Sequence, residues 1–161
     1  MSAYSRIGSS EIAARGIRAC PPEWHENAVR CAYSSGDDLW KLTAVFCMRF
    51  VRGFDEQIVE ELVNKNPDIH LEATLAAGSW GVEAAWPHIA ALIHSRRTPK
   101  PLLLAAIGAV PSIRPQEASE VLSHLIESDD EDIVEAVHEA LAMAEEPSDE
   151  DEDDEDGLFL Q

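Results

Sequence analysis

Small and apolar residues recur along this chain at a nearly constant spacing. Ala13, Thr43, Ala73, Ala106 and Val137 form one column, with steps of 30, 30, 33 and 31 residues. The same steps link Gly16, Phe46, Ala76, Ala109 and Ala140, then Ile17, Cys47, Ala77, Val110 and Leu141, then Cys20, Phe50, Trp80, Ile113 and Ala144. Within each unit the four positions stand at i, i+3, i+4 and i+7, which places them on one face of an α-helix. The small residues in the first two columns would let neighbouring helices approach closely.

A second helix per unit has its own columns. Val29, Val59, Ile89 and Leu122 form one, and Ala32, Leu62, Leu92 and Leu125 form the other, with steps of 30, 30 and 33 residues. The shared register predicts four helix–turn–helix units and a final single helix over residues 9–145, with no sheet. The breaking residues agree. Pro21-Pro22, Gly53, Gly81 and Pro115 fall between the two helices of a unit, and Ser35-Gly36, Pro67, Pro99 and Asp129-Asp130 fall between units. The longest step coincides with Arg96-Arg97-Thr98-Pro99-Lys100-Pro101, an expanded turn. Asp37, Asp68 and Asp130 stand near the starts of first helices, where a carboxylate can accept from free N–H groups and meet the positive end of the helix dipole.

Asp129-Asp130-Glu131-Asp132-Ile133-Val134-Glu135-Ala136-Val137-His138-Glu139-Ala140-Leu141 is an acidic turn followed by an Ala-rich first helix. Asp68 through Gly78, ending Leu75-Ala76-Ala77-Gly78, repeats the plan. In these features the chain resembles HEAT-like repeats, particularly the short class of about 30 residues associated with phycobilisome lyases. Units one and two diverge more, and the Val-Arg pair frequent early in the class's first helix is missing. The resemblance implies an all-α fold, a right-handed α-solenoid of about four repeats plus a final helix, over residues 1–146. Residues 147–161 are expected to form a disordered acidic tail. Such arrays are scaffolds for unrelated tasks, so the likeness speaks to architecture before function.

Charge sharpens this picture. The net charge of −19 is unevenly placed: all 12 Lys and Arg lie in residues 1–114 beside 12 of the 31 acids, while residues 115–161 hold the other 19 acids and no base. Direct binding of nucleic acid or an anionic membrane needs a basic footprint, so neither is expected. A protein partner with a basic surface is favoured instead. Three cysteines, Cys20, Cys31 and Cys47, show no CxxC spacing, which suggests a reducing compartment. The first residues lack the basic-then-apolar plan of a secretory leader, and the apolar run Pro101–Pro111 is about half of a membrane span. A cytoplasmic location is expected.

A search for chemistry finds little. None of the six histidines forms an HxxxH pair, and HExxH, Walker and GxSxG patterns are missing, Gly78-Ser79-Trp80-Gly81 having the wrong spacing. Cys20 and Cys47 occupy core columns, where a thiol serves as a small apolar group. The acidic run from Asp149 has Asp154 and Leu160 where a calcium loop needs Gly and Glu. No cofactor, metal or catalytic residue is expected.

In HEAT-like arrays the second helices usually line the concave side, and the resemblance carries this over. Outward positions there give Glu56, Glu60 and Glu61, Trp86, His94, His124 and Glu127 as candidate protein-binding residues. Trp86 is either an interface anchor or a side chain packed over the Trp80–Gly81 turn. Leu158, Phe159 and Leu160 follow the acidic run and suit either a docking tip or a segment folded back on the array. These features suggest a non-enzymatic protein-binding scaffold or adaptor. An acidic inhibitor or immunity-type protein, mimicking nucleic acid to neutralise a basic protein such as a nuclease, is the alternative. A bilin lyase-like subunit is implied by the repeat resemblance alone.

Overall fold

Three of the helix starts in this chain are set by side-chain oxygens. The carboxylate of Asp37 accepts hydrogen bonds from the backbone N–H groups of Leu39 (2.8 Å) and Trp40 (3.4 Å), and the helix Asp38–Cys47 begins there. At the next long helix the capping residue is Asn66, whose Oδ1 accepts from Asp68 N at 3.0 Å, with Pro67 at the first helical position. Asp68 lies inside that first turn, where a carboxylate meets the positive end of the helix dipole. At the last helix Asp130 Oδ1 accepts from Asp132 N at 3.0 Å. Lys100 bridges Asp130 and Asp132 at 3.0 and 2.6 Å, fastening the starts of two long helices together.

The structure, a computed structural model, describes residues 22–145. The expected first-helix residues Ala13, Gly16, Ile17 and Cys20 lie outside the described residues, as do residues 147–161 with Leu158, Phe159 and Leu160. The α-helices are α1 (Pro22–Tyr33), α2 (Asp38–Cys47), α3 (Asp55–Glu61), α4 (Pro67–Trp80), α5 (Trp86–His94), α6 (Lys100–Ile113), α7 (Ala118–Leu122) and α8 (Glu131–Glu145). Short 3₁₀ turns occupy Glu83–Ala85, Pro115–Glu117 and Ser123–Leu125. The described residues are all-helical, with no strand among them, and none of their helices is long and apolar enough to cross a membrane. The second helix of the fourth unit is broken rather than continuous: α7 has five residues between two 3₁₀ turns.

Packing follows chain order. α2 lies on α4, α4 on α6, and α6 on α8. The shorter helices pack chiefly on the long helix that follows them, α1 on α2, α3 on α4, α5 on α6 and α7 on α8. The tight pairs therefore straddle the unit boundaries expected from the sequence, because the capped turns fold each second helix back onto the next first helix.

Most positions of the recurring columns lie in the core, although Phe50 of the fourth column is 39 % exposed. Thr43, Ala73, Ala106 and Val137 are buried, as are Ala76, Ala109 and Ala140, while Phe46 in the same column is half-buried. Val29, Ile89 and Leu122 are fully buried from the second helices. Turn geometry needs glycine most at Gly81, which ends α4 with φ of 58°, and where a Cβ would meet Ser112 O at 2.6 Å. Trp80 beside it donates its indole N–H to Met48 O at 2.6 Å, tying the end of α4 to the end of α2.

Candidate interaction surface

The second-helix candidates divide by burial. Glu56 and Glu60 are exposed, one turn apart on α3, and His94, His124 and Glu127 are exposed on the later segments. His94 and His124 are brought together: their rings stack with centroids 5.3 Å apart and planes 19° from parallel. His124 Nε2 lies 3.2 Å from Ile93 O, and a carbonyl can only accept, so that nitrogen carries the proton. The contact links the end of α5 to the segment after α7.

Two candidates are corrected. Glu61 does not reach the surface, being 3 % exposed. It shares the face of Phe54, Ile58 and Leu62, all buried, at the i, i+3, i+4 spacing of a helix face. Its carboxylate is held by three donors: the Tyr33 hydroxyl at 2.7 Å, Asn64 Nδ2 at 2.6 Å and Lys41 Nζ at 3.1 Å. Burial pushes the Glu61 carboxyl up, but these hydrogen bonds and the Lys41 charge outweigh it and hold the group below its ordinary range. Burial together with the neighbouring Glu61 and Glu60 carboxylates pushes the Tyr33 hydroxyl far up, so it stays a donor. Glu60 Oε2 is also 3.0 Å from that hydroxyl, which has one proton and gives it to the shorter contact.

Trp86 is the second correction. It is 8 % exposed because it lies on the side of α5 that buries Ile89 and Ile93, at the same helical spacing. The Arg114 guanidinium sits 5.4 Å from its ring centre, and Arg114 itself pairs with Glu83 (2.7 Å) and Glu117 (2.8 Å). The tryptophan is a structural side chain with a cationic lid.

Two surface features were not read from the sequence. Leu39 and Trp40 are exposed side by side at the start of α2. Trp40 stands outside the recurring columns, which is the only signal the sequence offers. A cleft of about 480 Å³ is lined by Arg30, Arg52, Gly53, Asp55, Glu56, Gln57 and Trp80. Arg52 stacks on Trp80 at 4.8 Å from the ring centre, and Arg30 pairs with Glu26 at 2.7 Å. The cleft thus combines two arginines with Asp55 and Glu56 in one lining, a mixed-charge surface suited to polar side chains of both signs.

The two described cysteines are both free, Cys31 exposed and Cys47 buried. Burial pushes the Cys47 thiol up to about 11. Among the described residues no group of three or more His, Cys, Asp and Glu converges as a metal site. Compared with protein-family models, with curated proteins and with solved structures, the chain finds no match.

Proposed function

We propose that this protein is a non-enzymatic scaffold or adaptor, a short HEAT-like, right-handed α-solenoid that binds a protein partner along its second helices. The observation carrying the proposal is the exposed row of Glu56, Glu60, His94, His124 and Glu127, spread over successive second-helix segments. Its continuity is supported by the His94–His124 stack. A mixed, mildly acidic row on rigid helices offers rim contacts to a basic surface, with orientation set by charge. The acidic end at residues 147–161 adds long-range attraction for the same partner, and Leu158, Phe159 and Leu160 add an apolar anchor.

The uneven charge also favours a narrower version, an acidic inhibitor of one basic protein such as a nuclease. One experiment separates the readings. The full chain, a Glu56→Lys/Glu60→Lys chain and a chain lacking residues 147–161 are each used for affinity capture at low and high salt. The scaffold reading expects a partner that the double variant loses at both salt concentrations. Loss of the tail should slow capture mainly at low salt, since attraction reaches only about 10 Å at 0.1 M. A single partner of salt-sensitive, very high affinity identifies the inhibitor. Identical captures by all three chains exclude both.

A further inference from the structure

Five cations among the described residues lie over aromatic rings: Arg30 on Phe54, Lys41 on Tyr33, Arg49 on Phe46 and Phe50, Arg52 on Trp80, and Arg114 on Trp86. Four of them also hold a carboxylate of this chain. Arg30 pairs with Glu26 at 2.7 Å, Lys41 with Glu61 at 3.1 Å, Arg49 with Glu72 at 3.6 Å and Arg114 with Glu117 at 2.8 Å. Arg52 is the exception. Among the described residues it forms neither an ion pair nor a hydrogen bond, and its guanidinium sits 4.8 Å from the Trp80 ring centre.

An arginine so placed is preorganised for an acceptor from outside the chain. Trp80 is held by the indole N–H it donates to Met48 O at 2.6 Å, so its ring gives the guanidinium a fixed seat. A ring against a guanidinium covers its face and leaves the N–H donors, which lie in its plane, for a planar acceptor. The matching group is a carboxylate, taken by two parallel N–H bonds. The cleft around Arg52 sets a second condition. Asp55 and Glu56 are exposed in the same lining and form no ion pair with Arg52 or any other described residue. They repel a lone carboxylate or a phosphate and attract a cation beside it. The backbone of the lining is open to approach, since an added Cβ at Gly53 would meet nothing within 4 Å.

We propose that this cleft is a subsite for a partner segment in which an Asp or Glu adjoins a Lys or Arg, the acid seated on Arg52 and the base on Asp55 and Glu56. The inference deepens the scaffold reading, on which it rests for a protein as the occupant. Glu56 belongs both to the cleft and to the exposed row, so the cleft continues that row. The acids of the row select for positive charge alone. Arg52 adds a requirement for an acid beside it, because a uniformly basic segment would satisfy Asp55 and Glu56 but be repelled by the guanidinium. The cleft therefore supplies discrimination among basic partners, which the row by itself does not.

Blocked hexapeptides that differ only in their two central residues test the subsite on the full chain, by nuclear magnetic resonance at low salt. The central pairs are Lys-Glu, Lys-Lys, Glu-Glu and Ser-Ser. The Lys-Glu peptide is expected to shift the amide resonances of Gly53 and Gln57 saturably and to bind at least about tenfold more tightly than the other three. Arg52→Gln, and separately Asp55→Asn with Glu56→Gln, should each abolish that preference. Both should change melting little, because all three side chains are exposed. No saturable shift with Lys-Glu, an equal response to any of the other peptides, or a preference that survives Arg52→Gln overturns the subsite. Free lysine binding as tightly as the Lys-Glu peptide assigns the cleft to a small zwitterion and overturns it equally. The scaffold reading fails or stands separately, on affinity capture by the Glu56→Lys/Glu60→Lys chain, whereas the peptide shifts need no captured partner.

Discussion

Gly78 and Ala109 meet so closely that a Cβ added to Gly78 would lie 3.1 Å from both the Cα and the Cβ of Ala109. Both positions belong to the long helices α4 and α6, which pack on each other. The close approach is a property of the pair, since Gly108, also helical, has nothing within 4 Å of its added Cβ.

Gly78→Val should therefore destabilise the protein by about 1–3 kcal/mol, the usual range for overpacking a filled interior. Gly108→Ala should be neutral or slightly stabilising, because alanine lowers the entropy of the unfolded chain at a compatible helical site. Urea midpoints of the two variants check this. Equal losses would mean that helix propensity, and not the α4–α6 contact, governs both sites.

Charge in the core columns should be far worse than charge on the exposed row. Ala76 and Ala109 are 0 and 2 % exposed. Ala76→Asp or Ala109→Asp leaves an unpaired carboxylate there and should unfold the protein or cost more than about 4 kcal/mol. Glu60→Lys, at an exposed site, should move stability by about 0.5 kcal/mol or less. Thermal melts followed by far-ultraviolet circular dichroism separate the groups, and equal shifts would refute the helix register.

Glu61 should make stability depend on acid. Its folded-state pKa lies below the ordinary carboxylate value, so the ionised form favours the native state. That contribution is complete above the unfolded pKa of about 4.3 and is lost as pH falls through the depressed folded value. Glu61→Gln should cost about 1.5–3 kcal/mol at pH 7, the range for hydrogen bonds to a charged group. The gap between wild type and Glu61→Gln in urea midpoint should narrow steadily on acidification from pH 5. A gap constant down to pH 2 would show that Glu61 acts by shape alone.

Trp80→Phe should cost about 0.5–1.5 kcal/mol by removing the indole N–H donated to Met48 O. It should also free Arg52 from the larger ring beneath it. Hydrogen exchange of the amides following Met48 reads the first effect directly. Unchanged exchange and unchanged stability together would mean that the bond contributes nothing to holding the ends of α2 and α4.

The sequence alone determined the helical class, the step between recurring positions and about half of the buried positions. Each of these depends on a local period of 3.6 residues repeated at fixed steps. Thr43, Ala73, Ala106 and Val137 are buried for that reason. The burial of Trp86 and Glu61 was also present in the pattern, through Ile89 and Ile93 for the first and Ile58 and Leu62 for the second. Helical position, and not residue type, carries the burial of both side chains. Other properties were decided only by the tertiary structure. Which helices pair across a turn, how His94 comes to stack on His124, and how Lys41 and Tyr33 reach Glu61 depend on the angles and separations of packed helices. Those distances join residues about 20 to 30 positions apart, and no local period encodes them.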